Sequence, residues 1–357
     1  MKHILSILLA AILVTTFLLA SCAAPTPSPS TSPTPAPTPT PSTTQTIKLK
    51  FANHEPAVTV NNKIYAEWAG KIKEQTQGRV EIEIYPAEAL AKSRDMYNSL
   101  VGGICDIAAV LAPFARDNFP LNGILLQPLG SPPYMDGVKI WTELYNKFPA
   151  MQAEFADVHL LFTWLPGNQF IHFTKKQAKV PADIKGMKLF SESASTLELF
   201  GLAGATPVFS PITEAYMGLE RGLAEGLTAP YDALRVFGLT EIVKHHLELA
   251  VGAPQCFVIM NTSKWNSLSA EDQKIIMDLS PWVSEAICKA KEEEVNGVKK
   301  QGAEMGQTFY VPTAEEYKLW SALFPKSAEK WIADQEAKGF PAKALYQEAS
   351  QLAAKYH

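Results

Sequence analysis

The residues that could support catalysis or metal binding are scattered through this chain of 357 residues. His245 and His246 with Glu248 offer a possible metal-ligand pair at spacing i, i+3, although the same segment fits the end of an amphipathic helix. The sequence has no G-x-S-x-G, H-E-x-x-H, P-loop or complete G-x-G-x-x-G pattern, and Gly201 and Gly204 fit a turn. Its serine, histidine and aspartate residues follow no ordered catalytic motif. We therefore predict that the protein is not an enzyme and that it uses no metal or cofactor.

Charge argues against a nucleic-acid-binding protein, and cysteine content argues against a protein held together by disulfides or zinc. The chain has 32 Lys and Arg against 36 Asp and Glu, a formal net charge of −4, and no basic run, which argues against a nucleic-acid partner. Apart from Cys22, the cysteines are Cys105, Cys256 and Cys288, an odd number at wide spacing. Such spacing fits neither a disulfide framework nor a zinc site. Free, buried thiols are expected.

The first 22 residues indicate export from the cytoplasm. Lys2 and His3 precede an apolar run over residues 4–20, which is typical of a secretory signal peptide. The run ends in Leu-Ala-Ser-Cys, which resembles the lipobox of bacterial lipoproteins and implies lipid attachment at Cys22. An ordinary signal peptide with a chance cysteine, or an uncleaved membrane helix, are the alternatives. Residues 1–21 are thus predicted to be a lipoprotein signal peptide. The mature protein would be periplasmic or at the cell surface, anchored to a bacterial membrane.

Residues 22–45 would join that anchor to the rest of the chain. After Cys22 they are almost wholly Ala, Pro, Thr and Ser. Such a composition cannot bury apolar surface, so it predicts a disordered, partly polyproline II spacer.

The stretch of residues 186–231 predicts alternating strands and helices. Residues 187–192 alternate at period two, and residues 206–209 form a second short strand. Ser210 and Pro211 fit the N-cap and first residue of a helix, and Gly226 is expected to end it. This succession of strand, helix, strand, helix and strand is typical of an α/β sheet.

The rest of the chain continues the pattern. Strands are expected over residues 47–51, 79–86 and 106–111, and helices over 61–76, 96–101, 270–279, 283–302, 314–337 and 341–355. Glu292, Glu293 and Glu294 are expected on a solvated helix face. Helices between strands imply parallel pairing, and ligands of such sheets bind at the carboxyl ends of the strands.

Five segments resemble the DctP-type solute receptors of tripartite ATP-independent periplasmic (TRAP) transporters. Residues 204–226 follow G-A-T-P-V-x-x-P-x-x-E-A-Y-x-x-L-x-x-G-x-A-E-G, after D-I-K-G-M-K-L at 183–189. The resemblance extends to EWAGKIKEQTQGRVEIEIYP at 67–86, GGICDIA at 102–108 and VIMNTSKWNSLSAEDQKII at 258–276. The chain is identified as a lipoprotein form of this family.

The resemblance implies a fold and a function. The fold would be the two-lobed α/β fold of periplasmic binding proteins, of the type II-like form, with hinge strands and a ligand cleft between the lobes. Residues 46–167 and 255–294 would form lobe I, and residues 168–254 and 295–357 lobe II with the C-terminal helices. The function would be capture of a small organic molecule by lobe closure and its delivery to a permease with a small and a large membrane subunit. A ligand sensor for a signalling receptor is the alternative, and an extracellular hydrolase is less favoured.

The family's ligand positions are altered here. Members usually bind a ligand carboxylate with an Arg in a K-[IL]-R sequence, and that position is Phe190. The family's Asn, aromatic and Glu positions correspond to Ala229, Ile212 and Leu111. Burying a ligand carboxylate without the bidentate Arg that usually binds it is costly. These residues therefore disfavour a typical dicarboxylate as the ligand. A more apolar or aromatic ligand, or one with a neutral or cationic head, is expected instead.

Further residues complete the predicted site. Trp164, Phe190, Phe209 and Tyr231 could supply stacking faces, and Glu88 or Glu192 could meet a cation, although Trp164 and Phe209 also fit a core and Glu192 a solvated position. Lys188 or Lys92 could bind a monocarboxylate instead. The predicted ligand-binding set is Asn53, His54, Glu88, Leu111, Trp164, Lys188, Phe190, Glu192, Phe209, Ile212, Ala229 and Tyr231.

Overall fold

The computed structural model describes residues 46–356, except the side chain of Thr213. The predicted signal peptide, the linker and Cys22 lie outside these residues. The strands are β1 (Ile47–Ala52), β2 (Val80–Tyr85), β3 (Ile107–Leu111), β4 (Val158–Trp164), β5 (Phe170–Phe173), β6 (Lys188–Ser191), β7 (Thr206–Phe209), β8 (Gly226–Ala229), β9 (His245–Leu247), β10 (Cys256–Asn261) and β11 (Thr308–Tyr310).

The helices lie between these strands and at the C-terminal end. They are α1 (Val60–Gln75), α2 (Met96–Val101), α3 (Tyr134–Lys147), α4 (Pro149–Ala153), α5 (Ala194–Leu202), α6 (Ile212–Glu220), α7 (Tyr231–Val236), α8 (Thr262–Ser267), α9 (Ala270–Glu304), α10 (Ala314–Ser321), α11 (Phe324–Glu336) and α12 (Ala342–Lys355). Several begin at the side-chain caps that their sequences favour, since Thr59, Ser193 and Ser269 each accept a hydrogen bond from a first-turn N–H.

Two sheets organise the described chain. The first has the order β2-β1-β3-β10-β4, with β1 parallel to β2 and β3 and with β10 antiparallel to β3 and β4. The second has the order β11-β9-β5-β8-β6-β7, in which β6 is parallel to β7 and β8. Strand β10 is buried along almost its whole length, as a central strand covered on both faces must be.

Each sheet has hydrophobic cores of its own. One large cluster covers the first sheet, and two smaller clusters cover opposite faces of the second. Leu189 and Phe190, adjacent in β6, belong to those two different clusters because successive side chains of a strand point to opposite faces.

Helix α9 connects the two sheets. Its N-terminal part places Ile276, Val283 and Ile287 in the core of the first sheet, and its C-terminal part places Val295 and Val298 in a core of the second. The sequence predicted two helices separated near Pro281, and this is wrong: the helix continues through the proline. Burial on both sides of the proline outweighs its local cost.

Four other local predictions are corrected. Pro211 rather than Ser210 precedes α6 as its cap residue, and Gly226 begins β8 instead of ending a helix. His245 and His246 lie in β9 and not at a helix end, because β5 and β11 pair with that strand on its two sides. The region 314–337 forms α10 and α11 with a break between them.

The division of residues between lobes stays a prediction. Helix α12, which was assigned to lobe II, packs against α3, and its Leu345 and Ala349 lie in the core of the first sheet. Among residues 46–356, no helix is both long and apolar enough to cross a membrane.

Candidate functional site

A cavity of about 830 Å³ lies between the two sheets, at the carboxyl ends of their strands. The first sheet contributes His54 after β1 and Ala112 after β3, and the second contributes Glu192 after β6 and Pro230 after β8. Parallel strands place their ends at one edge, and the cavity lies where two such edges face each other. Its volume suits one small organic molecule.

The structure brings seven of the twelve predicted site residues to this cavity. They are His54, Glu88, Leu111, Trp164, Glu192, Ile212 and Ala229. The other five do not line it: Asn53, Lys188, Phe190, Phe209 and Tyr231. Whether the first seven bind a ligand stays a prediction.

Asn53 shapes the rim at the end of β1 without lining the cavity. Its side chain is fully buried, donates to Asn62 Oδ1 at 3.0 Å and accepts from the backbone N–H of Glu55 at 3.1 Å. These bonds turn the chain so that His54 and Glu55 line the cavity. Burial lowers the pKa of His54, so its ring is neutral at pH 7 and offers a hydrogen bond rather than a charge.

Glu88 holds the neighbouring rim. Ala87 and Glu88 both have positive φ, at 54° and 59°, a conformation that is uncommon outside glycine. The Glu88 carboxylate accepts from the Ser93 hydroxyl at 2.6 Å and the Ser93 N–H at 2.9 Å, and from Lys92 Nζ at 3.1 Å. Ser93 and Lys92 thereby lower the pKa of Glu88 to about 2. Because both of its carboxylate oxygens have these partners, Glu88 is an anion with a structural role.

Glu192 connects β6 to α6 on the opposite wall. Its Oε1 accepts from the backbone N–H of Ile212, the first residue of α6, at 2.8 Å. A carboxylate at a helix N-terminus is favoured by the unpaired N–H groups and the helix dipole. This bond explains why the helix begins after Pro211 and why Ile212 lies at the cavity wall.

Phe190 and Tyr231 are core residues. Phe190 is 5% exposed, and its ring lies against Gly218 of α6 so closely that a Cβ on that glycine would approach the ring to 2.5 Å. Tyr231 is 2% exposed and donates through its hydroxyl to Glu248 Oε1 at 3.2 Å. Both side chains are buried in the same hydrophobic cluster, and neither lines the cavity, so neither supplies a stacking face to it.

Lys188 and Phe209 lie at the surface of the second sheet. Phe209 is 60% exposed at the end of the edge strand β7, and Lys188 begins β6 with an exposed side chain. The core position that was the alternative for Phe209 is not observed, since an edge strand leaves one side without a neighbour. Neither residue reaches the cavity.

A buried ion-pair cluster forms the floor of the cavity. Lys291 of α9 lies 3.3 Å from Glu55 Oε1, 3.1 Å from Asp232 Oδ2 and 3.4 Å from Glu294 Oε2. Burial alone would lower the pKa of Lys291, but Asp232, Glu55 and Glu294 outweigh it and raise that pKa. The lysine thus stays charged, and it joins the loop after β1 to α7 of the second sheet. Glu294, expected on a solvated face, is instead partly buried in this cluster.

Arg116 reaches from the first sheet to the second. Its Nε donates to the Pro113 carbonyl at 2.9 Å, and its Nη2 donates to the Glu192 carbonyl at 2.9 Å. The side chain therefore lies across the cavity wall with its guanidinium held in place at both sides.

Two buried histidines support the wall at Ala229. His172 Nε2 lies 2.9 Å from the Ala229 carbonyl, and its Nδ1 lies 2.7 Å from His246 Nδ1. Since a carbonyl only accepts, we assign the His172 proton to Nε2. The second ring nitrogen of His246, Nε2, lies 3.0 Å from Gln307 Oε1. Burial lowers the pKa of both rings, that of His246 to about 4.

Acidification is expected to destabilise the protein through this histidine pair. Because the folded pKa lies below the unfolded value of 6.5, the stabilisation is complete above pH 6.5 and is lost as pH falls through about 4. For His246 this amounts to roughly 3 kcal/mol of pH-dependent free energy of unfolding. Urea unfolding of the wild type and of His246→Asn between pH 7 and pH 4 measures it. The wild type should lose stability more steeply, and equal slopes would contradict the buried neutral pair.

Sequence reasoning missed Arg116, Lys291, Asp232 and His172, and it considered His246 only as a possible metal ligand. Arg116 lies five positions beyond the end of β3, outside the rim that the strand-end rule identifies. Lys291 lies in a helix far along the chain and meets its partners only through tertiary packing. Asp232 directly follows Tyr231. The sequence therefore indicated the right segment of the cavity wall, but it named Tyr231 where the neighbouring Asp232 lines the cavity.

These features define a class of protein: two α/β lobes with a ligand-sized cavity between their strand ends, which is the arrangement of a solute-binding protein. The family model of bacterial extracellular solute-binding proteins, family 7 (DctP), matches residues 51–334. The chain therefore belongs to this family, and the resemblance seen in its motifs is confirmed. Because members of this family bind solutes, the prediction of a binding protein rather than an enzyme is confirmed as well.

Individual relatives are distant but cover most of the chain. The Comamonas testosteroni outer membrane transporter protein TsaT is 25% identical over 302 residues, which is 80% of this chain and 85% of that protein. A TRAP periplasmic solute-binding protein of Desulfovibrio salexigens superimposes with a TM-score of 0.78 at 23% identity, covering 87% of this chain and 97% of its own. A marine metagenome TRAP solute-binding protein specific for aromatic acid ligands, in complex with 3-hydroxybenzoate, superimposes with a TM-score of 0.78 at 22% identity. The match covers 87% of this chain and 99% of that protein. The predicted two-lobed fold is confirmed by these structures.

Proposed function

We propose that the protein is the solute receptor of a TRAP transporter, which captures one small organic molecule between its lobes and delivers it to a membrane permease. The observation that carries this proposal is the cavity between the strand ends of both sheets in a member of the family. A ligand that contacts both walls favours the closed arrangement, so its binding energy drives closure. The permease would recognise that closed form.

We infer further that the ligand is not a typical dicarboxylate. Position 190, where the family's Arg fork is expected, holds a buried phenylalanine that does not line the cavity. Lys291 is already surrounded by three carboxylates, and a second ligand carboxylate near them would be repelled. The walls instead offer Leu111, Trp164 and Ile212, which suit an apolar or aromatic body. The metagenome neighbour's aromatic ligand supports the same inference.

A thermal-shift screen tests this function. The protein is unfolded and refolded to remove any carried ligand, and it is then screened against aromatic monocarboxylates, sugar acids, dicarboxylates and amines. A compound at 100 times its dissociation constant adds about 2.7 kcal/mol to the free energy of unfolding. We expect aromatic or apolar compounds to stabilise the protein more than succinate does. Stabilisation by dicarboxylates alone would overturn the ligand class, and a complete lack of response would count against the receptor itself.

A further inference from the structure

Arg116 differs from three other cations of the cavity wall in how its charge is compensated. Lys92 pairs with Glu88 at 3.1 Å, Lys330 pairs with Asp334 at 2.9 Å, and Lys291 is surrounded by three carboxylates. Both hydrogen bonds of the Arg116 guanidinium end on neutral peptide oxygens, and within residues 46–356 it makes no ion pair. Its charge is therefore the least neutralised of these four.

The guanidinium is also fixed in direction. Arginine has five N–H donors in one plane, and the bonds from Nε to Pro113 and from Nη2 to Glu192 use two of them. The donors on Nη1 and the second donor on Nη2 remain for another partner. Arg94 and Lys338 also line the cavity and, like Arg116, are exposed, but within the described residues no side-chain hydrogen bond holds either of them. A held guanidinium loses less side-chain entropy on binding than a mobile one.

The bonds of Arg116 span the cavity. Pro113 follows β3 of the first sheet, and Glu192 follows β6 of the second. A ligand anion bound to the remaining donors would lie where the two walls approach each other. Since Leu111 and Ile212 line the same cavity, the remainder of such a ligand would meet apolar side chains.

We propose that Arg116 is the specificity-determining residue of the cavity and binds the single carboxylate of an apolar or aromatic monocarboxylate. This inference rests on the proposed receptor function and adds the ligand's charged group to it. The residue lies in the segment after β3 of the first sheet, whereas the family position that Phe190 replaces lies on β6 of the second. Lys188 cannot serve in this role, because it lies at the far, exposed end of β6.

The test compares an acid with its neutral isostere. Benzoate and benzamide have nearly the same shape, so their affinity ratio isolates the carboxylate. Calorimetry on the wild type, Arg116→Gln and Arg116→Lys gives that ratio for each protein, and Arg221→Gln is a matched control because Arg221 is exposed at the end of α6, away from the cavity.

We expect the wild type to prefer benzoate and Arg116→Gln to bind it about 10- to 100-fold more weakly, with its preference over benzamide lost. Arg116→Lys should retain part of the preference for benzoate, because lysine supplies a point charge but not the planar fork of a guanidinium. Arg221→Gln should behave as the wild type does.

Three outcomes would overturn the proposal, and they separate it from the receptor function. If Arg116→Gln keeps the wild-type benzoate affinity within twofold, another group binds the carboxylate. If the wild type responds only to neutral compounds or amines, the receptor function stands and the role of Arg116 is wrong. If the wild type binds no compound of the screen, both are wrong.

Discussion

Replacing Lys291 with methionine is expected to lower the free energy of unfolding by about 3–5 kcal/mol. The lysine side chain is 5% exposed, and its ammonium compensates Glu55, Asp232 and Glu294. Removing one partner of a buried ion pair leaves uncompensated charges in a poorly solvated place, which costs far more than the pair itself contributes. Glu55 and Asp232 would then lose their cation at the floor of the cavity, while Glu294 would keep its ion pair with Arg235.

The matched control is Lys289→Met on the same helix. Lys289 is exposed, so its replacement should change the free energy of unfolding by less than about 0.5 kcal/mol. Chemical denaturation of the two variants and the wild type measures both effects. If Lys291→Met is as stable as Lys289→Met, the cluster does not hold the lobes together in the manner described.

Replacing Phe190 with alanine is expected to cost about 3–5 kcal/mol of stability while leaving ligand affinity nearly unchanged. The ring fills the core between β6 and α6, and its removal leaves a cavity that the surrounding residues cannot close completely. Because Phe190 does not line the ligand cavity, binding should be affected little once the variant is folded.

Phe209→Ala is the control for this substitution. Phe209 lies on the neighbouring strand β7 but is 60% exposed, so its loss should be nearly neutral. Denaturation and a thermal-shift assay with the best compound of the screen give the two readouts. A Phe190→Ala protein with normal stability and lost binding would return Phe190 to the ligand site.

The elements that the sequence predicted well are those with strong local signals. Residues 206–209 and 96–101 match β7 and α2, because a short alternating run and a Gly-Gly stop define their ends. The strand-end rule and the family motifs also located both walls of the cavity, through His54, Glu192 and Ala229.

The errors have long-range causes. Ser210 and Pro211 fit a helix start locally, but Glu192, 20 residues earlier, caps the backbone N–H of Ile212 and places the first turn one residue later. Likewise, the pair His245 and His246 forms a strand because two other strands flank it. Neither effect can be read from a local window of sequence.

The site residues illustrate the same limit. Alignment to the family identifies position 190 but not the direction of a phenylalanine placed there, which is buried in a hydrophobic cluster and does not line the cavity. Lys291 becomes a site residue only because a helix of 35 residues carries it from one core to the next. Charge compensation across such distances in sequence follows from tertiary packing alone.

The most direct test of the receptor function is a crystal structure of the refolded protein with the most stabilising compound of the screen. We predict one ligand in the cavity between the two sheets, in contact with Trp164 and Ile212 from opposite walls. A compound bound only on the outer surface, with this cavity empty, would contradict the account.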